Sequence, residues 1–172
     1  MGQHTVRDQR VTELEFIMEK LGMVPLEGEG GMYRRNYEGA AGQDGRPVYS
    51  SIYYLLTPNS FSHMHRLSSD EIYHFYMGDS LEILLLYPDG QWELRRLGTK
   101  LSEGEVPQLL VPAGVWQGSK VAEGGSYSLV GTTMAPAYTD EDYEHGSSEE
   151  LCKQYPEAAE KIMARCGAAV AR

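Results

Sequence analysis

His63-Met64-His65, followed by Glu71 and Gly78, is the feature of this chain best suited to chemistry. Residues two apart in a strand project from the same face, so alternation predicts that the two imidazoles point together. Glu71 opens the next β-rich run after the turn residues Ser68-Ser69-Asp70. An antiparallel return sets its carboxylate opposite the histidine pair. Two imidazoles and one carboxylate on rigid strands suit a divalent transition metal. The same set suits acid–base work, because a carboxylate beside a histidine raises its basicity. In that form His65, poised by Glu71, takes a proton next to a carbonyl, and Tyr73 or Tyr33 returns one on the other face.

These side chains need a framework, and the pattern around them is β. Val48 to Leu56 is β-branched and aromatic and ends in Thr57-Pro58-Asn59-Ser60, a turn cluster. Glu71 to Met77 closes at Gly78-Asp79. Leu81 to Tyr87 and Gln91 to Leu97 flank Pro88-Asp89-Gly90, which predicts a hairpin. Leu109-Leu110-Val111 and Tyr127 to Thr133 are further short strands. Short strands at regular spacing predict a sandwich or barrel. Before them, Thr12-Glu13-Leu14-Glu15 reads as a capping box, with Leu14, Ile17, Met18 and Leu21 at helical spacing and Gly22 as the stop. Glu27 to Gly45 holds six glycines and reads as loop or edge strand. After the strands, Ser147-Ser148-Glu149-Glu150 is a second capping box, and Pro156 opens a helix predicted over Glu157 to Cys166. The expected organisation is one domain over residues 1–172, with an all-β body over about 30–138 and C-terminal helices over about 147–167.

Composition narrows the function classes. Hydrophobic residues at 41% and charged residues at 23% fit a soluble globular fold. A formal net charge of −10 argues against a nucleic-acid polymer as partner, since phosphate binding is built on excess Lys and Arg. No apolar run is long enough for a membrane helix. Met1-Gly2-Gln3-His4 lacks an apolar core, so no secretory signal is expected and the chain is expected to be cytoplasmic. Cys152 and Cys166 form no zinc motif and read as reduced thiols packed on helices.

Other residues stand out by type. Trp116 follows Pro112-Ala113-Gly114 and reads either as a wedge between sheets or as a stacking wall for a flat ring. Arg34, Arg35 and Arg66 are notable in an acidic chain; at a cavity mouth any of them suits a phosphate bidentately. Glu29, inside the Gly-rich segment, caps a loop or enters the site. Asp140-Glu141-Asp142-Tyr143-Glu144 reads as a solvated loop. His74 and Tyr76 have the opposite parity from Glu71 and Tyr73, which predicts an outer face for them.

The spacing His63-x-His65, five residues, Glu71, six residues, Gly78 resembles the first motif of the cupin superfamily, with a turn one residue longer. Gly104, a longer spacer, and Pro112-Ala113-Gly114 resemble the second motif, with Gln117 where the third histidine of the family is expected. Glu29-Gly30-Gly31-Met32-Tyr33-Arg34, Ile52-Tyr53-Tyr54-Leu55-Leu56, Asp70-Glu71-Ile72-Tyr73-His74-Phe75-Tyr76, Val111 to Gln117 and Met134-Ala135-Pro136 are similar to the cupin-5 family, once called domain of unknown function 985. The likeness runs from about Thr12 to Met163. It implies a double-stranded β-helix, a jelly-roll barrel, usually dimeric and similar in shape to sugar-nucleotide epimerases and germins, and it implies no settled activity. The expectation is therefore a small-molecule-binding cupin with a barrel-mouth pocket suited to a nucleotide or nucleotide-sugar. Its expected contacts are His63, His65, Arg66, Glu71, Trp116, Gln117, Tyr33, Arg34 and Glu29. The alternative is an enzyme: an epimerase or isomerase using His65, Glu71 and Tyr73, or an oxygenase whose divalent metal is held by His63, His65 and Glu71. An amide is a poorer ligand than imidazole, so Gln117 weakens the metal form. A homodimer is expected through the His74/Tyr76 face and the Ile52–Leu56 strand.

Overall fold

The alternating stretches of the chain fold into two antiparallel sheets laid face to face. The computed structural model describes residues 13–167. The Thr12 cap and the Met1–His4 terminus lie outside them. Residues 13–20 form helix α1, which stops at Gly22, where φ is +63°. Eleven strands follow among the described residues: β1 (Val24–Pro25), β2 (Met32–Glu38), β3 (Ser50–Leu56), β4 (Phe61–Leu67), β5 (Glu71–Gly78), β6 (Leu81–Leu86), β7 (Trp92–Leu97), β8 (Gln108–Val111), β9 (Trp116–Val121), β10 (Ser128–Met134) and β11 (Tyr143–His145). One sheet has the order β1-β2-β3-β10-β5-β8 and the other β11-β4-β9-β6-β7. From β3 onward the chain crosses between sheets at every connection except the predicted β6–β7 hairpin. This alternation makes the jelly roll.

Tyr54, Leu56, Ile83, Leu85, Val111, Val121 and Val130 meet between the sheets and exclude water from one half of the interior. Fully burying each aliphatic side chain stabilises by about 1.5–3 kcal/mol. Ile17 and Met23 cover the outer side of the first sheet at Leu55, Tyr127 and Leu129. On the second sheet, α2 (Ser148–Gln154), a single 3-10 turn (Pro156–Ala158) and α3 (Ala159–Met163) form a helical cap. Its Leu151, Tyr155, Ala158 and Ile162 pack on Met64, Leu84 and Leu86. Ser147 caps α2 as predicted, its Oγ accepting the Glu150 amide at 3.3 Å. The predicted last helix is shorter than its pattern. It ends at Met163, and the carbonyl of Arg165 turns to accept the amide of Met64 at 2.9 Å. Among the described residues no helix is long and apolar enough to cross a membrane.

One irregularity in β4 redirects its side chains. Ser62 pairs with Ser119 and His65 with Gln117, so three steps along β4 face two along β9. The extra residue is a β-bulge at His63-Met64, which breaks the alternation of faces. Met64 is thereby turned outward and is fully buried under the helical cap, against Gly118. Met64→Ala should remove this anchor at a cost of about 2–5 kcal/mol, whereas Met64→Leu should cost less than about 1.5 kcal/mol. Urea unfolding midpoints of the two variants against wild type measure both values.

Candidate functional site

A cavity of about 490 Å³ opens between the two sheets. Its buried wall carries Tyr54, His65, Leu67, Glu71, Tyr73, Thr132 and Met134. Glu27, Arg35, Tyr138, Thr139 and Asp140, all more exposed, also line it and form its mouth.

His65 reaches this wall because the bulge restores an inward parity two residues after His63. The ring is 2% exposed. Its Nδ1 lies 2.7 Å from the carbonyl of His63. A carbonyl only accepts, so Nδ1 carries the proton, and in the neutral ring Nε2 is the bare nitrogen. The phenol ring of Tyr143 stacks on the imidazole, with centroids 5.1 Å apart, and holds its plane. The carboxylate beside Nε2 is that of Glu29, at 4.0 Å. Glu29 also accepts from Ser62 Oγ at 2.7 Å.

Glycine is what allows Glu29 to enter. Gly30 has φ +106°, and a Cβ there would stand 2.3 Å from the carbonyl oxygen of Phe61. Gly31 has φ +75° and is crowded by Leu56 and Tyr54. Only residues without Cβ press this close to strands at such angles. The loop is then pinned by two bonds: the Glu29 carbonyl accepts the His63 amide at 2.8 Å, and the Gly30 carbonyl accepts the Tyr54 hydroxyl at 2.7 Å.

Glu71 and Tyr73 share the inward face of β5. Gln117 Nε2 donates to Glu71 at 2.9 Å, and the Tyr73 hydroxyl donates to Gln117 Oε1 at 3.0 Å. The Gln117 amide thus links the two groups from behind the wall, donating to one and accepting from the other. Burial raises the carboxyl of Glu71 above its usual range. The charge of His65 and hydrogen bonds from Thr132 and Gln117 oppose this, and Glu29 adds to it. Burial, with Glu71 second, pushes the Tyr73 phenol well above its usual range.

The structure brings His65, Glu71, Tyr73, Tyr33 and Glu29 to the cavity, with Gln117 behind them. It does not bring the others. The bulge sends His63 to the sheet edge, where its ring stacks on His145 at 3.8 Å. Trp116 alternates with inward Gln117 and so faces outward, against the helical cap and beneath the guanidinium of Arg66 at 4.6 Å. Arg66 donates through Nε and Nη2 to the two oxygens of Glu144, at 2.6 and 3.1 Å. Arg34 alternates outward from Tyr33, leaving Arg35 as the cavity guanidinium. The predicted His63, His65, Glu71 ligand set is therefore not assembled. Among the described residues no three His, Cys, Asp or Glu side chains are placed to hold a metal ion. Sequence reasoning passed over Glu27, Tyr54, Thr132, Tyr138 and Asp140. Asp140 belongs to a run read as solvated, yet Asp142 in that run is buried, bonded to Ser68, Thr139 and Arg46. The inward parity of Tyr54 and Thr132 was readable from strand alternation.

The family model described as Cupin superfamily (DUF985) matches residues 15–146. The chain belongs to this cupin family. Two solved structures are similar over nearly their whole length. One is the protein SO0799 from Shewanella oneidensis, 36% identical, TM-score 0.83, covering 89% of this chain and 96% of that one. The other is a hypothetical protein from Leishmania major, 31% identical, TM-score 0.81, covering 90% and 98%. The uncharacterized protein YML079W of Saccharomyces cerevisiae is 30% identical over 116 residues, which are 64% of this chain and 58% of that protein. The chain thus spans little more than half the length of the curated relative it matches.

In this cupin the raised pKa of Glu71 has a consequence for stability. The folded state holds the Glu71 proton more tightly than the unfolded chain does. Stability from this group is therefore full below the usual carboxylate pKa and is lost as pH rises through the folded value. Glu71→Gln keeps an acceptor for Gln117 without that charge. Its stability relative to wild type should improve between pH 4 and pH 7, measured by denaturant unfolding at both.

Proposed function

We propose that this cupin binds a small molecule in the barrel cavity, in direct contact with His65. The observation that carries this is a nearly fully buried imidazole on the cavity wall, its Nδ1 held by the His63 carbonyl and its Nε2 left for a ligand. A polar group on a small molecule in the cavity complements Nε2. The nucleotide form of the reading loses the cations expected for its phosphates: Arg66 holds Glu144, and Arg34 is on the outer face. The mouth guanidinium, Arg35, already meets Glu38 at 3.2 Å and the Tyr138 carbonyl at 3.1 Å. The reading therefore rests on a small polar molecule without a phosphoryl group.

An acid–base enzyme is the second reading, favoured by one further observation. Nε2 is the proton-accepting nitrogen, and Glu29 lies where it stabilises the imidazolium that would form. Glu29 joins Glu71, which also feels the charge of His65, in this part. We also propose a homodimer through the outer face of the first sheet. Tyr76 and Leu110 are about half exposed there, with Tyr76 lying over Gly131 and edge-on to Tyr53.

A thermal-shift screen of sugars, amines, nucleosides and nucleoside diphosphates tests the binding reading. A ligand at about a hundred times its Kd stabilises by about 2.7 kcal/mol, several degrees in Tm for a chain of this size. At least one non-phosphorylated class should raise the Tm of wild type and not of His65→Leu, with diphosphates no better than their nucleosides. No shift with any class at millimolar concentration would sink the reading. For the assembly, light scattering at micromolar concentration should give twice the chain mass, and Tyr76→Glu should halve it; a monomeric wild type ends that proposal.

A further inference from the structure

The cavity lining carries more acidic than basic side chains. Glu27, Glu29, Glu71 and Asp140 contribute carboxyl groups, and His65, in its neutral form, contributes Nε2 as an acceptor. The hydroxyls of Tyr73 and Tyr54 already donate, to Gln117 and to the Gly30 carbonyl. Arg35, the one guanidinium among the lining residues, donates to Tyr138 and faces Glu38. A ligand that satisfies this wall brings its own N–H or O–H groups.

Charge decides between those two. Burial favours the neutral form of Glu71, yet Glu27, Glu29 and Asp140 against one guanidinium already engaged leave the lining acidic. An anionic ligand would add like charge inside a partly desolvated space, where such repulsion is strong. A bare metal ion does not fit either, because no three His, Cys, Asp or Glu side chains among the described residues converge on one point. The positive charge must be spread over a larger molecule that reaches several acceptors at once. We infer that the ligand of this cavity is an organic cation, a protonated amine with ring or hydroxyl bulk. This rests on the reading that the cavity is a small-molecule site. An ammonium has three donors and no acceptor, the complement of this wall. Tyrosine faces on the lining suit its charge further. A cation beside Glu71 also offsets the cost of ionising a buried carboxyl.

The test uses three probes that share one ring: glucosamine, glucose and glucuronate, each titrated into the full chain at low ionic strength and followed by saturation-transfer NMR. Glucosamine should bind about tenfold tighter than glucose, with glucuronate weaker than both. In the Glu29→Gln/Glu71→Gln double variant that advantage should fall to less than about threefold, while exposed Glu141→Gln keeps it. A circular dichroism melt shows that the double variant is folded. Glucose or glucuronate binding as tightly as glucosamine overturns the inference and leaves the cavity reading intact. So does an amine preference that survives in the double variant, since it would then come from the net negative surface. Absence of binding by all three probes overturns the inference, and the cavity reading falls with it only where the wider thermal-shift screen is also blank.

Discussion

The extra residue in β4 governs the rest of the site. Without it, Ser62 and His65 would face opposite sides of the sheet, because an odd separation of three reverses parity. With it, both face inward, where Ser62 orients Glu29 and His65 meets it. The same bulge turns Met64 outward and frees its amide and carbonyl. Arg165 and Gly146 take them, at 2.9 and 2.8 Å. The helical cap and the cavity wall are thus two sides of one distortion. The buried Arg165 guanidinium, with Glu82 at 3.9 Å, ties the cap to β6 as well.

Much of the fold was legible from pattern. The hairpin at Pro88-Asp89-Gly90, the strands from Glu71 and Tyr127, the Ser147 cap and Pro156 at a first helical turn all follow from local physical preferences. The inward parity of Glu71 and Tyr73 followed too, because β5 is regular where they sit. Strand β9 was harder to see. Gln117, Gly118 and Ser119 lack β-branched bulk, and their buried state comes from packing partners far away in sequence.

The candidate site was half legible for the same reason. Strict alternation pairs His63 with His65, and nothing local in Phe61-Ser62-His63-Met64-His65 announces a bulge. What stabilises the bulge is a carbonyl about a hundred residues downstream. Arg34 and Arg35 are adjacent and chemically alike, so only the strand register decides which enters. Glu29 was a candidate without a role. Its place depends on Gly30 and Gly31 passing close to β4 and β3, a tertiary contact rather than a periodicity.

The cavity mouth is made of Arg35 on β2 and two short segments, around Glu27 and around Tyr138 to Asp140, whose side chains lie outside the buried core. Asp142 anchors the second through Ser68 and Arg46, behind the surface that faces the cavity. Selection can therefore rewrite what enters by exchanging rim side chains, while the bulge, the His65 tautomer and the apolar half of the barrel stay constant. Relatives sharing about a third of their residues can keep one interior and differ in what the rim admits.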